Sequence, residues 1–387
     1  VRNVVTIDSL PTPAALIDRA RLVANIDRMQ SAADAAGVRL RPHSKTHKSP
    51  RVAKWQIERG AVGICCAKLS EAEVFADAGV ADIRLPYPIN PSNADRVVQL
   101  LDRTHLSFIV DHSMVARQWS EAMSRAGRAV DVLVKVDVGF HRCGIDPKAA
   151  DAVDMVRGVA SLPGLRLRGL LAHAGHAYHA HSEDHMRDIA ESEARTLCDL
   201  ASACRRAGVD VEELSAGATP SARHSLRQRG LTEYRPGNYV YFDRTQVALG
   251  AAALDDCALT VLATVVSKPA VDRIILDCGT KTLSSDSARG FRPAPGYGLV
   301  LGDPATGIRQ PATVKPQTAA QNLLIERLSE EHATVRVVSG TTPLEPGDRV
   351  RVLPNHSCVV SNLVDRVWLV DGDECKPMTI AARGCIT

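Results

Sequence analysis

GVRLRPHSKTHK, residues 37–48, runs from an apolar, strand-like stretch into a basic turn before any helix begins. Arg41, His43, Lys45, His47 and Lys48 form either a solvated charge cluster or a setting in which a lysine crowded by like charge loses its proton near neutral pH. A neutral amine is a nucleophile toward aldehydes, so the second account depends on where this strand end lies in the fold. The same succession of strand and polar turn recurs outward from here. VRLRP, AVGICCA, DIRLPY, LSFIVD, VLVKVDV, LRGLLAHAG, VEELSAG and EYRPGNYVY are short apolar runs, separated by amphipathic stretches such as RLVANIDRMQSAADAAG and SEDHMRDIAESEARTLCDLASACRRAG. Ser70 and Glu73 have capping-box spacing, which predicts a helix start there. About eight such units predict an α/β fold, a (β/α)8 barrel over residues 18–248. An open doubly wound sheet also fits the alternation, but the first βα turn lacks GxGxxG and with it the support for a dinucleotide site.

Beyond residue 250 the texture changes to β-branched runs broken by Gly, Pro and Asp: CALTVLATVVS, RIILDCG, ATVRVVS, DRVRVLPN and RVWLV. These predict a C-terminal antiparallel β domain over 249–387, and the strand-like start VVTIDSLPTPAALID assigns residues 1–17 to it as well. With 387 residues a large core is available, and the net charge of +3 argues against nucleic-acid or anionic-membrane partners. No apolar run is long enough to cross a bilayer, and the start VRNVVTIDSLPTP lacks the pattern of a secretory signal, so a cytoplasmic protein is expected. Ten scattered cysteines without a CxxC pair predict reduced thiols, not a disulfide framework.

In a barrel of this kind chemistry gathers where strands end. Lys45 follows the first strand; His141 and Arg142 follow VKVDVGF; His173 and Tyr178 follow LRGLLA; Ser215, Gly217 and Thr219 follow VEEL; Gly237, Asn238 and Tyr239 follow EYRP. SAGATPS and RPGNY have the small residues and hydroxyls of phosphate cradles at the last two strands. A phosphorylated aldehyde cofactor would account for both loops and for Lys45. HAGHAYHAH, 173–181, is rich in histidine, with His179 and His181 read as surface residues. LPNHSC, 353–358, is treated as extended, so that His356 and Cys358 lie on one side and can offer nitrogen and sulfur to an ion such as zinc. The alternative there is a strand end with a buried thiol. DCGTKTLSSD, with Lys281 and Asp286, reads as a hairpin connection.

Taken together and in order, RPHSKTHK, GICCAKLSEAE, VDVGFHRCG, HAGHAY, SAGATPS, RPGNYVYFD, LDCGTKTLSSD and LPNHSCVVSNL resemble the metal-activated, fold-type III pyridoxal-phosphate enzymes of the D-threonine aldolase and D-serine dehydratase family. The resemblance spans nearly the whole chain. It implies an alanine-racemase-type barrel, a homodimer, pyridoxal 5'-phosphate held on Lys45, and a divalent metal, zinc or manganese, on His356 and Cys358. By the same resemblance Gly217, Thr219, Gly237, Asn238 and Tyr239 surround the phosphate, and Arg142 and Tyr178 lie near the cofactor ring. HSC, HAGHAY and GATPS resemble the dehydratases of D-serine or D-threo-3-hydroxyaspartate, whereas GICCAKLSEAE and VDVGFHRCG are as aldolase-like. The expectation leans to dehydration of a D-3-hydroxy amino acid, with retro-aldol cleavage as the alternative. A racemase would need a second base, and Tyr297 is the only tyrosine beyond residue 250; a pyridoxal-phosphate carrier would have no use for LPNHSC.

Overall fold

The computed structural model describes residues 5–302, 320 and 322–387. Residues 1–4, 303–319 and 321, assigned above to the β domain, lie outside the described residues. The chain divides into two compact units: one of Val1–Asp27, Thr46–Lys48 and Asn238–Arg383, the other of Arg28–Lys45, Ser49–Gly237 and Gly384–Thr387. The exchange of segments is finer than the boundaries at 18 and 248 expected from composition.

The second of these units holds eight parallel strands. Their order is Arg39–Leu40, Glu233–Tyr234, Glu213–Ala216, Leu165–Leu171, Val130–Lys135, His105–Val110, Asp82–Pro88 and Ile64–Cys65. An isolated parallel bridge between His43 and Cys65 brings the two edge strands together. Strands buried on both faces read as continuous apolar runs, and every residue of Val130–Lys135 is buried. Helix Glu183–Arg206 shows the complementary pattern, burying Met186, Ile189, Ala190, Ala194, Leu197, Leu200, Ala201 and Cys204 along one stripe. Its start is capped by Ser182, whose side chain accepts the His185 N–H. The capping box expected at Ser70 is absent. That helix is Leu69–Asp77 with Lys68 at its N-cap, Ser70 bonds the Thr387 carbonyl, and Glu71 accepts the Ala67 N–H.

Several expected strands are shorter than their apolar runs: AVGICCA contributes Ile64–Cys65 and EYRPGNYVY only Glu233–Tyr234. A buried ion network crosses this unit. Glu233 accepts hydrogen bonds from Arg41 Nε at 2.7 Å, Arg84 Nη1 at 2.5 Å and Ser215 Oγ at 2.7 Å, and Arg84 also meets Glu213 at 2.9 Å. Both arginine charges hold the Glu233 carboxyl far below the usual range, although burial opposes this. Removing one partner leaves the others buried and uncompensated. Glu233→Ala is therefore expected to destabilise the protein by roughly 3 kcal/mol, read as a lower urea midpoint at unchanged slope.

The other unit is a nine-stranded sheet. Along its main path lie Leu323–Leu328, Ala333–Val337, Arg273–Leu276, Leu259–Ala270, Ala14–Asp18, Arg366–Asp371 and Glu374–Thr379; Arg349–Leu353 pairs with Leu259–Ala270 and with Leu299–Leu301. The pairing is antiparallel except between Ala14–Asp18 and Arg366–Asp371. The N-terminal segment thus joins this sheet, as a short 3-10 turn Ile7–Ser9 followed by a strand. No disulfide joins the ten cysteines, all of which lie among the described residues. Among those residues no helix is long and apolar enough to cross a membrane.

Candidate active site

The loops that follow the parallel strands carry the groups expected from sequence. Lys45 lies in the 3-10 turn Ser44–Thr46, its side chain exposed while Ser44 and Thr46 are buried. The basic neighbours of Lys45 are engaged elsewhere: Arg41 with Asp82 and Glu233, and Lys48 with the Ala382 carbonyl. Lys135, at the end of Val130–Lys135, is 3% exposed, and burial pushes its pKa down to about 7; the charges of Arg235 and Arg142 add to the fall while Cys143 and Glu193 oppose it.

After Leu165–Leu171, His173 Nδ1 donates to the Gly217 carbonyl at 2.6 Å, which leaves Nε2 as the acceptor. Burial, then the charges of Lys45 and Lys135, hold this imidazole well below its ordinary pKa, so it is neutral. Tyr178 is half-buried, and His179 and His181 are exposed, as expected of surface histidines. Arg142 is exposed, with its guanidinium 5.1 Å from the Phe140 ring centroid. Its loop is shaped by Asp137, whose carboxylate accepts the N–H groups of Gly139, Phe140 and His141.

Gly217 has φ +155°, and a Cβ there would lie 2.6 Å from the Arg235 nitrogen, so only glycine fits. Thr219 Oγ1 accepts the Gly237 N–H at 3.3 Å, tying the two small-residue loops together. Ser215 differs from its expected place. Its side chain lies on the same side of the strand as Glu213, and its hydroxyl is engaged by Glu233 and by Arg235 Nε at 2.6 Å. Two further groups escaped the sequence reading. Arg235 is buried and donates to the carbonyls of Ala172 and Ser215. Glu193 is 1% exposed on the apolar stripe of Glu183–Arg206, and accepts the Ala174 N–H at 2.8 Å. Burial raises its pKa against the pull of Arg235 and Lys135. An acid in a helical apolar stripe is the signal that could have found Glu193, and a lysine inside VLVKVDV is the signal for Lys135.

Lys45, Lys135 and Arg235 all act on the His173 ring, and Glu193 is the buried acid that answers the latter two. That excess of positive charge beside small-residue loops suits a phosphate ester that also bears an aldehyde, so the residues fit pyridoxal phosphate. Relative to Lys135→Met, the wild type carries a penalty below pH 7, where its lysine is protonated in both states. The penalty is relieved as pH rises toward the unfolded value of 10.5, because the unfolded chain then binds more protons. The stability advantage of Lys135→Met is expected to shrink by about 2 kcal/mol between roughly pH 7 and pH 9, measurable by urea unfolding at both.

In the sheet unit, strand Arg349–Leu353 ends before Pro354, and His356 is the N-cap residue of helix Ser357–Leu363. Cys358 is therefore the second helical residue, and the two side chains converge through the helix start, not through the extended geometry expected. The pair is in hydrogen-bond contact: burial opposes protonation of His356, but the Cys358 charge and its hydrogen bond, with Asp243 and Asp286, raise it to about 10. Thr46 Oγ1 lies 3.1 Å and Asn238 Nδ2 3.5 Å from the Cys358 sulfur. Asn238 Nδ2 also donates to Asp243 Oδ2 at 2.6 Å, and Asp243 takes the Ser357 N–H at 3.0 Å. The Asn238 side chain thus serves the His-x-Cys loop. Tyr239 is buried beside it in the chain. Among the described residues no group of three or more His, Cys, Asp or Glu side chains could hold a metal ion. The donor set is one nitrogen and one sulfur with positions to spare, which fits a borderline-soft divalent ion in an open site.

A parallel eight-stranded barrel with a lysine after its first strand and two small-residue loops at its last two, carried with a mostly antiparallel sheet unit, defines the alanine-racemase-type fold of pyridoxal-phosphate enzymes, fold type III. Residues 17–245 match the family described as "Alanine racemase, N-terminal domain", and residues 258–370 match "Putative serine dehydratase domain". D-threo-3-hydroxyaspartate dehydratase of Delftia sp. (strain HT23) is 37% identical over 358 residues, 91% of this chain and 92% of that protein. D-threonine aldolase of Arthrobacter sp is 33% identical over 378 residues, 96% of this chain and 93% of that protein. A solved structure of a cysteine-to-alanine mutant of D-threo-3-hydroxyaspartate dehydratase, in the metal-free form, is similar with a TM-score of 0.89 at 32% identity, covering 97% of this chain and 98% of the other. The chain belongs to the D-threonine aldolase and D-serine dehydratase family of fold-type III pyridoxal-phosphate lyases.

Proposed function

We propose that this chain is a pyridoxal-phosphate- and divalent-metal-dependent lyase that dehydrates D-3-hydroxy amino acids of the D-serine or D-threo-3-hydroxyaspartate kind, yielding a 2-oxo acid and ammonia. The observation that carries the reading is the meeting of His356 and Cys358 at a helix start, a nitrogen and sulfur donor pair with open positions. The dehydratase name of the 37% identical relative supports it. Retro-aldol cleavage to glycine and an aldehyde is the second reading, favoured by GICCAKLSEAE and VDVGFHRCG and by the 33% identical aldolase.

The chemistry that bound pyridoxal phosphate would supply is an electron sink for the α-carbon, and that of zinc or manganese is Lewis acidity toward the β-hydroxyl. Lys45 would hold the cofactor and its Nζ would take the α-proton. The phosphate would be held by the loops of Gly217, Gly237, Asn238 and Tyr239 with the Thr219 hydroxyl, which the Gly237 N–H orients, and Ser215 would support them through Arg235. His173 stays neutral and presents Nε2, since Nδ1 is committed to Gly217. Arg142 and Tyr178 would lie near the cofactor ring, and Lys135 and Arg235 keep the surroundings of His173 positive. Thr46 and Asn238 share the charge of the Cys358 sulfur, leaving it a weaker donor and any ion it binds a stronger acid. The chain is taken as a homodimer, for which light scattering is the check.

The test is to incubate protein loaded with pyridoxal phosphate and manganese or zinc with D-serine, D-threo-3-hydroxyaspartate and D-threonine, with the L-enantiomers as controls. Equal yields of 2-oxo acid and ammonia are expected from the D-forms. Glycine with an aldehyde would move the assignment to the aldol reading. No product from any substrate, with EDTA making no difference, would reject both.

A further inference from the structure

We propose that Asp286 is the positioning residue of the metal pair: it holds the Nδ1–H of His356 and so commits Nε2 to the ion. The inference rests on reading His356 and Cys358 as metal donors. Asp286 Oδ2 lies 2.6 Å from His356 Nδ1, although the two residues are seventy positions apart in the chain. A carboxylate as partner makes Nδ1 the protonated nitrogen, fixes the ring plane and leaves the other nitrogen with its lone pair outward.

The surrounding backbone shows that this pairing is built. Helix Thr280–Leu283 ends at Ser284, a non-glycine residue at φ +65°, and Ser284 Oγ accepts the Asp286 N–H at 3.2 Å. Asn355, 1% exposed and directly before His356, donates from Nδ2 to the carbonyls of Asp286 at 3.0 Å and Gly296 at 2.9 Å. One buried amide therefore ties the segment that carries the carboxylate to the segment that carries the imidazole. A casual surface ion pair would have neither the left-handed serine nor the buried asparagine behind it. Asp286 acts through His356, since its carboxylate is engaged at Nδ1, the ring nitrogen turned away from the ion.

The experiment compares wild type, Asp286→Ala, Asp286→Asn and His356→Ala in zinc affinity by competition with a chromophoric chelator, in the absorption of the cobalt(II)-substituted protein, and in Tm after chelator treatment. Asp286→Ala is expected to lose 10- to 100-fold in zinc affinity and to shift the cobalt bands. Asp286→Asn, whose amide oxygen still accepts the Nδ1–H, is expected to lose less than about tenfold, and the metal-free Tm values of both to match wild type. An Asp286→Ala protein that binds zinc as tightly as wild type overturns the inference, as does an asparagine variant that falls as far as the alanine one. A wild type with no zinc site sensitive to His356→Ala would instead defeat the reading of the metal pair itself.

Discussion

Lys45→Ala is expected to lower turnover of D-3-hydroxy amino acids by roughly 10⁴-fold, about 5.5 kcal/mol. Two roles are lost at once: the amine that retains the cofactor and the base that takes the α-proton. The loss should be larger than positioning alone would give, because Lys45 belongs to a set of cations at the strand ends, and only its side chain among Lys45, Lys135 and Arg235 is exposed. The accompanying readout is covalent. Borohydride treatment of the pyridoxal-phosphate-loaded wild type should label the peptide that contains Lys45, and the alanine variant should carry no label. Label on Lys135 would transfer the role to the lysine with the depressed pKa and sink the assignment to Lys45.

His356→Ala should cost about 10³-fold in activity, since Lewis-acid stabilisation of the departing oxygen is worth several kcal/mol, here taken as roughly 4. Cys358→Ala should fall as far, because two protein donors leave no redundancy. Both variants should be insensitive to EDTA at their residual rate, whereas the wild type should lose activity to the chelator and regain it with added manganese or zinc. Retained pyridoxal-phosphate labelling at Lys45 in these variants would separate loss of metal from loss of cofactor. Full activity of His356→Ala would remove the metal from the mechanism.

The motifs around Lys45, His173, Gly217, Thr219, Gly237, His356 and Cys358 stood out as candidates because each is a short run of unusual residues at a strand end, where local pattern and position in the fold coincide. The barrel was legible for a related reason: strands buried on both faces must be apolar throughout, and the helices between them must carry a stripe. Where local pattern misled, another contact had won. Ser70 and Glu73 have capping-box spacing, yet the helix begins two residues earlier and Ser70 is drawn to the Thr387 carbonyl. Ser215 looked like a phosphate hydroxyl, yet strand alternation turns it inward to Glu233. LPNHSC looked extended, yet a helix starts at Ser357 and presents Cys358.

By itself the amino-acid order determined the succession of elements, the two kinds of sheet, and the candidate residues for an aldehyde cofactor and an ion, because alternation, helical period and turn chemistry act over a few residues. Only the tertiary structure decided which distant groups share a field: Lys135 with Arg235, Glu193 with the loop after Leu171, Asp286 with His356. Charge and hydrogen bonding depend on distance in space, and burial sets their strength. Neither quantity is written in the spacing of residues along the chain.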